Sequence, residues 1–103
     1  MAEFVTVATT DEVKPGDRLV FEIGRQWIVL LNVDGHYYAV EDNCTHEEHT
    51  LSDGALDGHA LECSKHGAQF DVRDGKVLAP PAHVAVRTYP IRVEGDDIQI
   101  EWE

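Results

Sequence analysis

The chain has 103 residues, of which 43% are hydrophobic and 27% are charged, as expected for a single globular domain over residues 1–103. Its charge is not balanced, since 20 acids stand against 8 Lys and Arg and give a formal net charge of −12. So strong a negative charge argues against binding to nucleic acids or to anionic membranes. It suits a protein whose partner presents a basic surface.

Neither a membrane span nor a secretory signal is expected from the sequence. No window approaches 18 consecutive apolar residues, and the start, MAEFVTVATTDEV, lacks a basic stretch followed by an apolar run. The default expectation is therefore a cytoplasmic location. In a reducing cytoplasm, Cys44 and Cys63 are expected to bind a metal or to stay free rather than to form a disulfide.

Short runs rich in β-branched and aromatic residues, separated by turn signals, predict strands along most of the chain. Residues 10–13 could form a single helical turn before Pro15. The predicted strands are residues 18–23, 26–33, 36–40, 55–56 paired with 60–61, 84–93 and 98–102. Hairpin turns are predicted at Asp34-Gly35, Asp57-Gly58, Asp74-Gly75 and, less regularly, Gly95-Asp96-Asp97. The pattern predicts an all-β fold, an antiparallel sandwich or small barrel.

Two polar segments do not fit the strand pattern, and they contain both cysteines. Segment 41–54 includes Cys44-Thr45-His46, and segment 63–69 includes Cys63 and His66 in a C-x-x-H spacing. The sixteen residues between His46 and Cys63 contain the predicted Asp57-Gly58 turn. Because a hairpin folds the chain back, two loops that flank it can lie side by side. Two thiolates and two imidazoles would then meet at one place.

Several kinds of site are compatible with two Cys/His pairs. The cysteines could be inert core residues, although polar, Gly-flanked loops are poor core material. A structural Cys2His2 zinc site is possible, but the single residue between Cys44 and His46 is an unusual spacing for it. A thiol nucleophile or redox dithiol would need a third orienting group or a C-x-x-C pair, and neither is evident. The remaining possibility is a [2Fe–2S] cluster with two Cys and two His ligands.

The two segments resemble the cluster loops of the Rieske proteins. Cys44-Thr45-His46 is followed after sixteen residues by CSKHGAQFD, residues 63–71, which is similar to the family's C-x-x-H-G-x-x-F-D pattern. Pro80-Pro81 resembles the proline-containing loop that covers the cluster in this family, and the strand pattern extends the likeness over nearly the whole chain. Within the family, the chain looks most like the small soluble ferredoxins of bacterial multicomponent oxygenases.

The resemblance implies a ligand set. Cys44 and Cys63 would bind one iron of a Rieske-type [2Fe–2S] cluster, and His46 and His66 would bind the other. The cluster-binding part, formed by two loops, would span about residues 41–82. Ser64 departs from the proline that is more usual after the second cysteine. The remaining histidines are interpreted as ordinary surface or strand residues: His36, His49, His59 and His83.

The resemblance also implies that the protein is an electron carrier and not itself an enzyme. A flavin-dependent reductase using NADH or NADPH would reduce it, and it would pass the electron to a terminal oxygenase. We expect a monomer. The alternatives left open are the small subunit of a nitrite reductase, a ferredoxin of iron–sulfur assembly or of another redox chain, and, from a different class, a zinc-stabilised binding module.

A low reduction potential is implied by what this chain lacks relative to the respiratory members of the family. Those members carry two extra loop cysteines, and a Ser and a Tyr whose hydroxyls donate hydrogen bonds to the cluster sulfurs. The corresponding positions here are Lys65, His49, Ala68 and Phe70. Without the hydroxyl donors, the potential is expected near about −150 mV rather than +300 mV.

Acidic residues are concentrated around the predicted site. Two interpretations remain open: these acids merely keep the surface solvated, or they steer the protein toward basic patches on redox partners. Residues 41–74 contain the bases Lys65 and Arg73 and the acids Glu41, Asp42, Glu47, Glu48, Asp53, Asp57, Glu62, Asp71 and Asp74.

Overall fold

The computed structural model describes residues 3–43, 50–64, 67–80 and 84–102. Eleven strands and no helix occur in these ranges, which confirms the predicted all-β fold. It follows that none of the described residues forms a helix able to span a membrane. The strands are β1 (Glu3–Thr9), β2 (Arg18–Ile23), β3 (Gln26–Val33), β4 (His36–Glu41), β5 (Leu56–Asp57), β6 (Ala60–Glu62), β7 (Gln69–Asp71), β8 (Val77–Ala79), β9 (Thr88–Tyr89), β10 (Ile91–Glu94) and β11 (Asp97–Trp102).

Strand β3 lies inside a four-stranded antiparallel sheet of order β2-β3-β4-β9, which is the central layer of the fold. Ile28 and Leu30 belong to one core cluster, whereas Val29, Leu31 and Val33 belong to another. Because successive side chains point to opposite faces, β3 is buried on both sides. Its sequence is therefore apolar almost throughout rather than alternating.

One face of the central sheet is covered by a three-stranded antiparallel sheet of order β1-β11-β10. Ile98 and Ile100 of β11 are fully buried and pack in one cluster with Ile28, Leu30 and Ala39 of the central sheet. Ile98 and Ile100 thus form the inward face of this last strand.

The opposite face carries a small four-stranded antiparallel sheet of order β5-β6-β7-β8. Leu61 and Phe70 of this sheet, together with Leu51, pack against Val29 and Leu31. This small sheet lies within residues 41–82, the part of the chain predicted to hold the two cluster loops.

Two hairpin turns depend on residues with positive φ. Asp34 and Gly35, with φ of 54° and 92°, connect β3 to β4, as expected for the Asp-Gly signal of a type I′ turn. In the β5–β6 hairpin, Asp57 pairs with Ala60, so the turn residues are Gly58 and His59. The turn therefore lies one residue later than predicted, because Gly58, with φ of 59°, takes its first position.

The predicted hairpin at Asp74-Gly75 is longer than two residues. Residues 72–76 join β7 to β8, and the Gly75 N–H donates to the Asp71 carbonyl at 2.7 Å. The prediction of a turn around Gly95 is confirmed, since Gly95 and Asp96 separate the paired residues Glu94 and Asp97. Residues 10–13 form a turn and no helix, with the Glu12 N–H donating to the Thr9 carbonyl at 3.0 Å.

The predicted single strand over residues 84–93 is wrong. Residues 84–87 lie outside any strand, and Pro90 separates β9 from β10. The chain changes sheets at Pro90, since Tyr89 pairs with Ala39 of the central sheet and Ile91 pairs with Ile100 of the outer sheet. Proline is suited to this break because it has no N–H to donate to either ladder.

Candidate functional site

Of the four predicted ligands, the structure describes Cys63. The other three, Cys44, His46 and His66, lie outside the described residues, as do His49, Lys65, Pro81 and His83. The described part of the site therefore consists of Cys63 and of the residues that flank the two predicted loops.

Cys63 begins the connection between β6 and β7, and its backbone closes that loop. Its N–H donates to the Ala68 carbonyl at 2.6 Å, and its own carbonyl accepts the Gly67 N–H at 2.9 Å. Gly67 has a φ of 79°, a left-handed conformation that favours glycine. Just before and after the loop, Glu62 pairs with Gln69. Cys63 and Gly67, the two described ends of the C-x-x-H-G motif, are thus held next to the β6–β7 ladder.

The side chain of Cys63 fits an inner metal ligand better than a reactive surface thiol. Cys63 is fully buried among Leu51, Leu61, Ala68 and Phe70, and it forms no disulfide within the described residues. A thiolate held inside an apolar shell is what a cluster iron on the protein side of the site requires. Among the described residues, no group of three or more His, Cys, Asp or Glu could hold a metal ion elsewhere.

The ends of the first predicted loop are joined by a carboxylate. Asp42 is buried, and its Oδ1 accepts the backbone N–H groups of Leu51 and Ser52, each at 2.7 Å. Its own N–H donates to the Trp27 carbonyl at 2.8 Å, which attaches this point to β3. The chain therefore enters and leaves the segment that contains Cys44 and His46 at one fixed place.

The turn of residues 51–54 lies against the second loop. A Cβ on Gly54 would come within 1.7 Å of the Glu62 carbonyl oxygen, so only glycine fits there. The Glu62 N–H donates to the Ala55 carbonyl at 2.8 Å, and Ser64 Oγ donates to Asp53 Oδ2 at 3.2 Å. The two polar segments that carry the predicted ligands thus converge, as the hairpin between them predicts.

The third predicted element of the site begins beside the second loop. Ala79 at the end of β8 pairs with Gln69, and Pro80 follows as an exposed turn residue. Further along, the Val86 N–H donates to the Gly75 carbonyl at 2.9 Å, which fixes the returning chain against the small sheet. Pro80 therefore follows the end of β8 that pairs with Gln69, and the next residues of the predicted covering loop, 81–83, lie outside the described residues.

Two of the nine acids around the site are not available to a partner. Asp42 is buried, and Asp71 is buried with its Oδ2 2.8 Å from Nη2 of Arg73 in an ion pair. Hydrogen bonds from the Arg73 side chain hold the pKa of Asp71 below its ordinary value, and the Asp71 carboxylate raises the pKa of Arg73. Of these nine acids, the ones that the structure describes as exposed are Asp53, Asp57 and Asp74.

A surface groove lies away from Cys63. It has a volume of about 680 Å³ and runs between the start of β4 and the β9–β10 connection, with Tyr37, Tyr38, Arg73 and Ile91 in its walls. His36, exposed at the start of β4, also borders it. His59 lies in the β5–β6 turn with its ring 5.7 Å from that of Tyr38. Both positions agree with the interpretation of these histidines as surface residues.

Sequence reasoning identifies Cys63 but not the residues that hold its surroundings. In the sequence, Asp42 is only one of nine acids within residues 41–74, and no pattern marks Gly54. The available signal is an Asp directly after a strand and before a polar loop, where a carboxylate can accept backbone N–H groups. No comparable signal exists for Gly54, since its role depends on a carbonyl eight residues away.

Comparison with known proteins gives a consistent result over most of the chain. Residues 3–90 match the model of the Rieske [2Fe-2S] domain. The biphenyl dioxygenase ferredoxin subunit of Pseudomonas sp. (strain KKS102) is 43% identical over 100 residues, covering 96% of this chain and 92% of that protein.

Solved structures of ferredoxins match the fold equally well. The ferredoxin of carbazole 1,9a-dioxygenase from Nocardioides aromaticivorans IC177 superposes with a TM-score of 0.89 at 32% identity, covering 94% of this chain and 95% of that one. A ferredoxin in a complex of reduced oxygenase and oxidised ferredoxin of carbazole 1,9a-dioxygenase gives 0.88 at 28% identity, with 94% and 91% covered. A nitrite reductase small subunit from Mycobacterium tuberculosis, at 22% identity and a TM-score of 0.87 with 100% and 97% covered, shares the fold.

Proposed function

Since this chain belongs to the Rieske [2Fe-2S] domain family, we propose that it is the ferredoxin component of a ring-hydroxylating oxygenase system. In this role it takes one electron from an NAD(P)H-dependent flavin reductase and delivers it to a terminal oxygenase. It acts as a carrier and catalyses no reaction on the organic substrate. We further propose that it works as a cytoplasmic monomer, in which residues 1–103 form one domain and residues 41–82 hold the cluster.

The observation that carries this proposal is the convergence of the two polar segments. The turn of residues 51–54 follows the first loop and contacts Glu62 and Ser64, which flank Cys63 at the start of the second. We propose that Cys44 and Cys63 bind one iron and that His46 and His66 bind the other. A Rieske cluster, when bound, accepts and returns a single electron at a potential raised by its two neutral imidazole ligands.

Three features of the described residues suit an electron carrier. The Cys63–Ala68 hydrogen bond holds a ligand-bearing loop on a rigid ladder, and the apolar shell around Cys63 keeps water from the inner side of the site. The exposed acids Asp53, Asp57 and Asp74 are able to attract basic partner surfaces. The full-length likeness to a biphenyl dioxygenase ferredoxin subunit favours the oxygenase circuit, whereas the likeness to a nitrite reductase subunit extends to the fold alone.

The ligand set is tested by replacing each proposed ligand with Ala. Cys44→Ala, His46→Ala, Cys63→Ala and His66→Ala are each expected to abolish the native cluster, because one iron then loses one of its two protein ligands. His49→Ala is the matched control and should leave the visible and EPR spectra unchanged. A normal cluster in His46→Ala, or none in His49→Ala, would show that the assignment is wrong. A colourless wild-type protein that contains zinc would favour the zinc-stabilised module.

The circuit is tested by reconstitution with the reductase and terminal oxygenase of a biphenyl dioxygenase system. We expect the reductase, supplied with NAD(P)H, to reduce this protein and so bleach its visible absorption. Oxygenated product should form only when this protein is added. A wild-type cluster that the reductase does not reduce, or that the oxygenase does not reoxidise, would contradict the proposed circuit while leaving the cluster assignment intact.

A further inference from the structure

The turn of residues 51–54, called the brace below, contacts both loops that carry the proposed ligands. On the side of the first loop, Asp42 Oδ1 accepts the N–H groups of Leu51 and Ser52 at 2.7 Å each. On the side of the second loop, Asp53 Oδ2 accepts the Ser64 hydroxyl at 3.2 Å. In addition, Gly54 lies directly against the Glu62 carbonyl. The brace is therefore a physical link between the two loops.

Asp42 is placed to control the first loop. It precedes Cys44 by two residues, and its two backbone partners begin two residues after His49. One carboxylate thus closes the whole connecting segment at its base. Hydrogen bonds to a carboxylate are stronger than those to a neutral acceptor, and a buried N–H left without its acceptor is destabilising.

Arg18 holds the same turn from the other side. Its Nη1 donates to the carbonyl oxygens of Ser52 and Gly54, both at 2.7 Å. The backbone of Ser52 is therefore held at its N–H by Asp42 and at its carbonyl by Arg18. Arg18 belongs to β2, and the Asp42 N–H bonds to β3, so the brace is attached to the central sheet at two points.

We propose that Asp42 is a positioning residue for the cluster, acting through the brace to fix the spacing between the two ligand loops. This inference rests on the proposed function, because it assumes that those loops hold the cluster. Asp42 touches no ligand among the described residues and exerts its effect through Leu51 and Ser52. Arg18 and the Asp53–Ser64 contact complete the same link.

The test compares Asp42 variants with matched variants of Asp71. The two carboxylates are buried to the same degree, with 7% and 8% of the residue exposed, and each accepts a backbone N–H. Asp71, however, lies at the far end of β7, paired with Ala60 beside the β5–β6 turn. The variants are Asp42→Ala, Asp42→Asn, Asp71→Ala and Asp71→Asn, all studied in the full chain.

The readouts are the rate of cluster loss to a chelator, the EPR spectrum of the reduced protein and the thermal midpoint. For Asp42→Ala we expect cluster loss roughly tenfold faster or more, in the range seen for residues that orient metal ligands, and altered EPR g-values. Asp42→Asn should restore the wild-type EPR spectrum and a loss rate within about twofold, because the amide oxygen still accepts both N–H groups. Both Asp71 variants should keep the wild-type EPR spectrum.

Two results separate the inference from the proposed function. If Asp42→Ala keeps the wild-type EPR spectrum and loses its cluster at the wild-type rate, the positioning role is wrong. It is also wrong if the rate of cluster loss follows the thermal midpoint alone in all four variants. Neither result would contradict the proposed function. A wild-type protein that binds no cluster would overturn the proposed function. In either case, amide hydrogen exchange of the peptide containing Leu51 and Ser52 reports on the brace itself, and unchanged exchange in Asp42→Ala would contradict it.

Discussion

At the scale of single residues, the surroundings of Cys63 determine what kind of centre the loop can hold. Ala68 accepts the Cys63 N–H through its backbone, and both Ala68 and Phe70 are fully buried in the core that contains the thiol. Neither side chain offers a hydroxyl. In a site of this kind, donors to the cluster sulfurs favour the reduced and more negative state. The side chains at 68 and 70 therefore favour a low potential.

Restoring the hydroxyls should raise the potential. Each new hydrogen bond that favours the reduced state by about 1 kcal/mol corresponds to roughly 40 mV for one electron. Ala68→Ser and Phe70→Tyr are therefore each expected to shift the midpoint upward by about that amount in voltammetry. Ala39→Ser is the control, since Ala39 is equally buried but packs on the other face of the central sheet. A downward shift in both variants, or an equal shift in the control, would contradict this explanation.

At the scale of elements, the strands with strong local signals are predictable and the others are not. β2, β3 and β4 are recognised from runs of apolar residues and an Asp-Gly turn. β1 is not recognised because it is mostly exposed, and β7 and β8 are not recognised because each has only three residues, too few to show a strand pattern. The same holds for the site: the Cys/His spacing predicts a ligand role for Cys63, whereas the role of Gly54 depends on a tertiary contact with Glu62.

Gly54 is the sharpest test of how the two loops are packed together. Gly54→Ala should destabilise the protein by roughly 3 kcal/mol, because the new Cβ overlaps a backbone carbonyl that cannot move without breaking a strand. It should also accelerate cluster loss. Gly16→Ala is the control, with φ of 89° but nothing within 4 Å of the new Cβ, and should cost about 1 kcal/mol through backbone strain alone. Chemical denaturation measures both, and equal losses would contradict the close approach.

At the scale of the whole molecule, the fold has three layers, and the central sheet separates the small sheet β5–β8 from the outer sheet. The small sheet β5–β8 packs on one face of the central sheet, and the sheet of β1, β10 and β11 packs on the other. The net charge of −12 belongs to the whole chain, so its effect on docking depends on where the exposed acids lie. Acids near the ligand loops should steer a partner, whereas those on the outer sheet should contribute mainly to solubility.

Electron transfer from the reductase should slow as salt is added, because the Debye length falls to about 8 Å near physiological ionic strength. The double variant Glu47→Lys with Glu48→Lys should slow it further at low salt. Asp96→Lys with Asp97→Lys changes the net charge equally, but on the β10–β11 turn of the outer sheet, and should have a smaller effect. If the stopped-flow rate of electron transfer changes neither with salt nor in either double variant, the remaining role of these acids is solubility.

Protein-film voltammetry of the purified wild-type protein measures whether this chain is a low-potential Rieske electron carrier. We predict one reversible one-electron wave near about −150 mV, at the low end of the range for clusters with two Cys and two His ligands. Such a potential suits an acceptor of electrons from a reduced flavin. The absence of a reversible wave, or a midpoint well above zero, would contradict the assignment as an oxygenase ferredoxin.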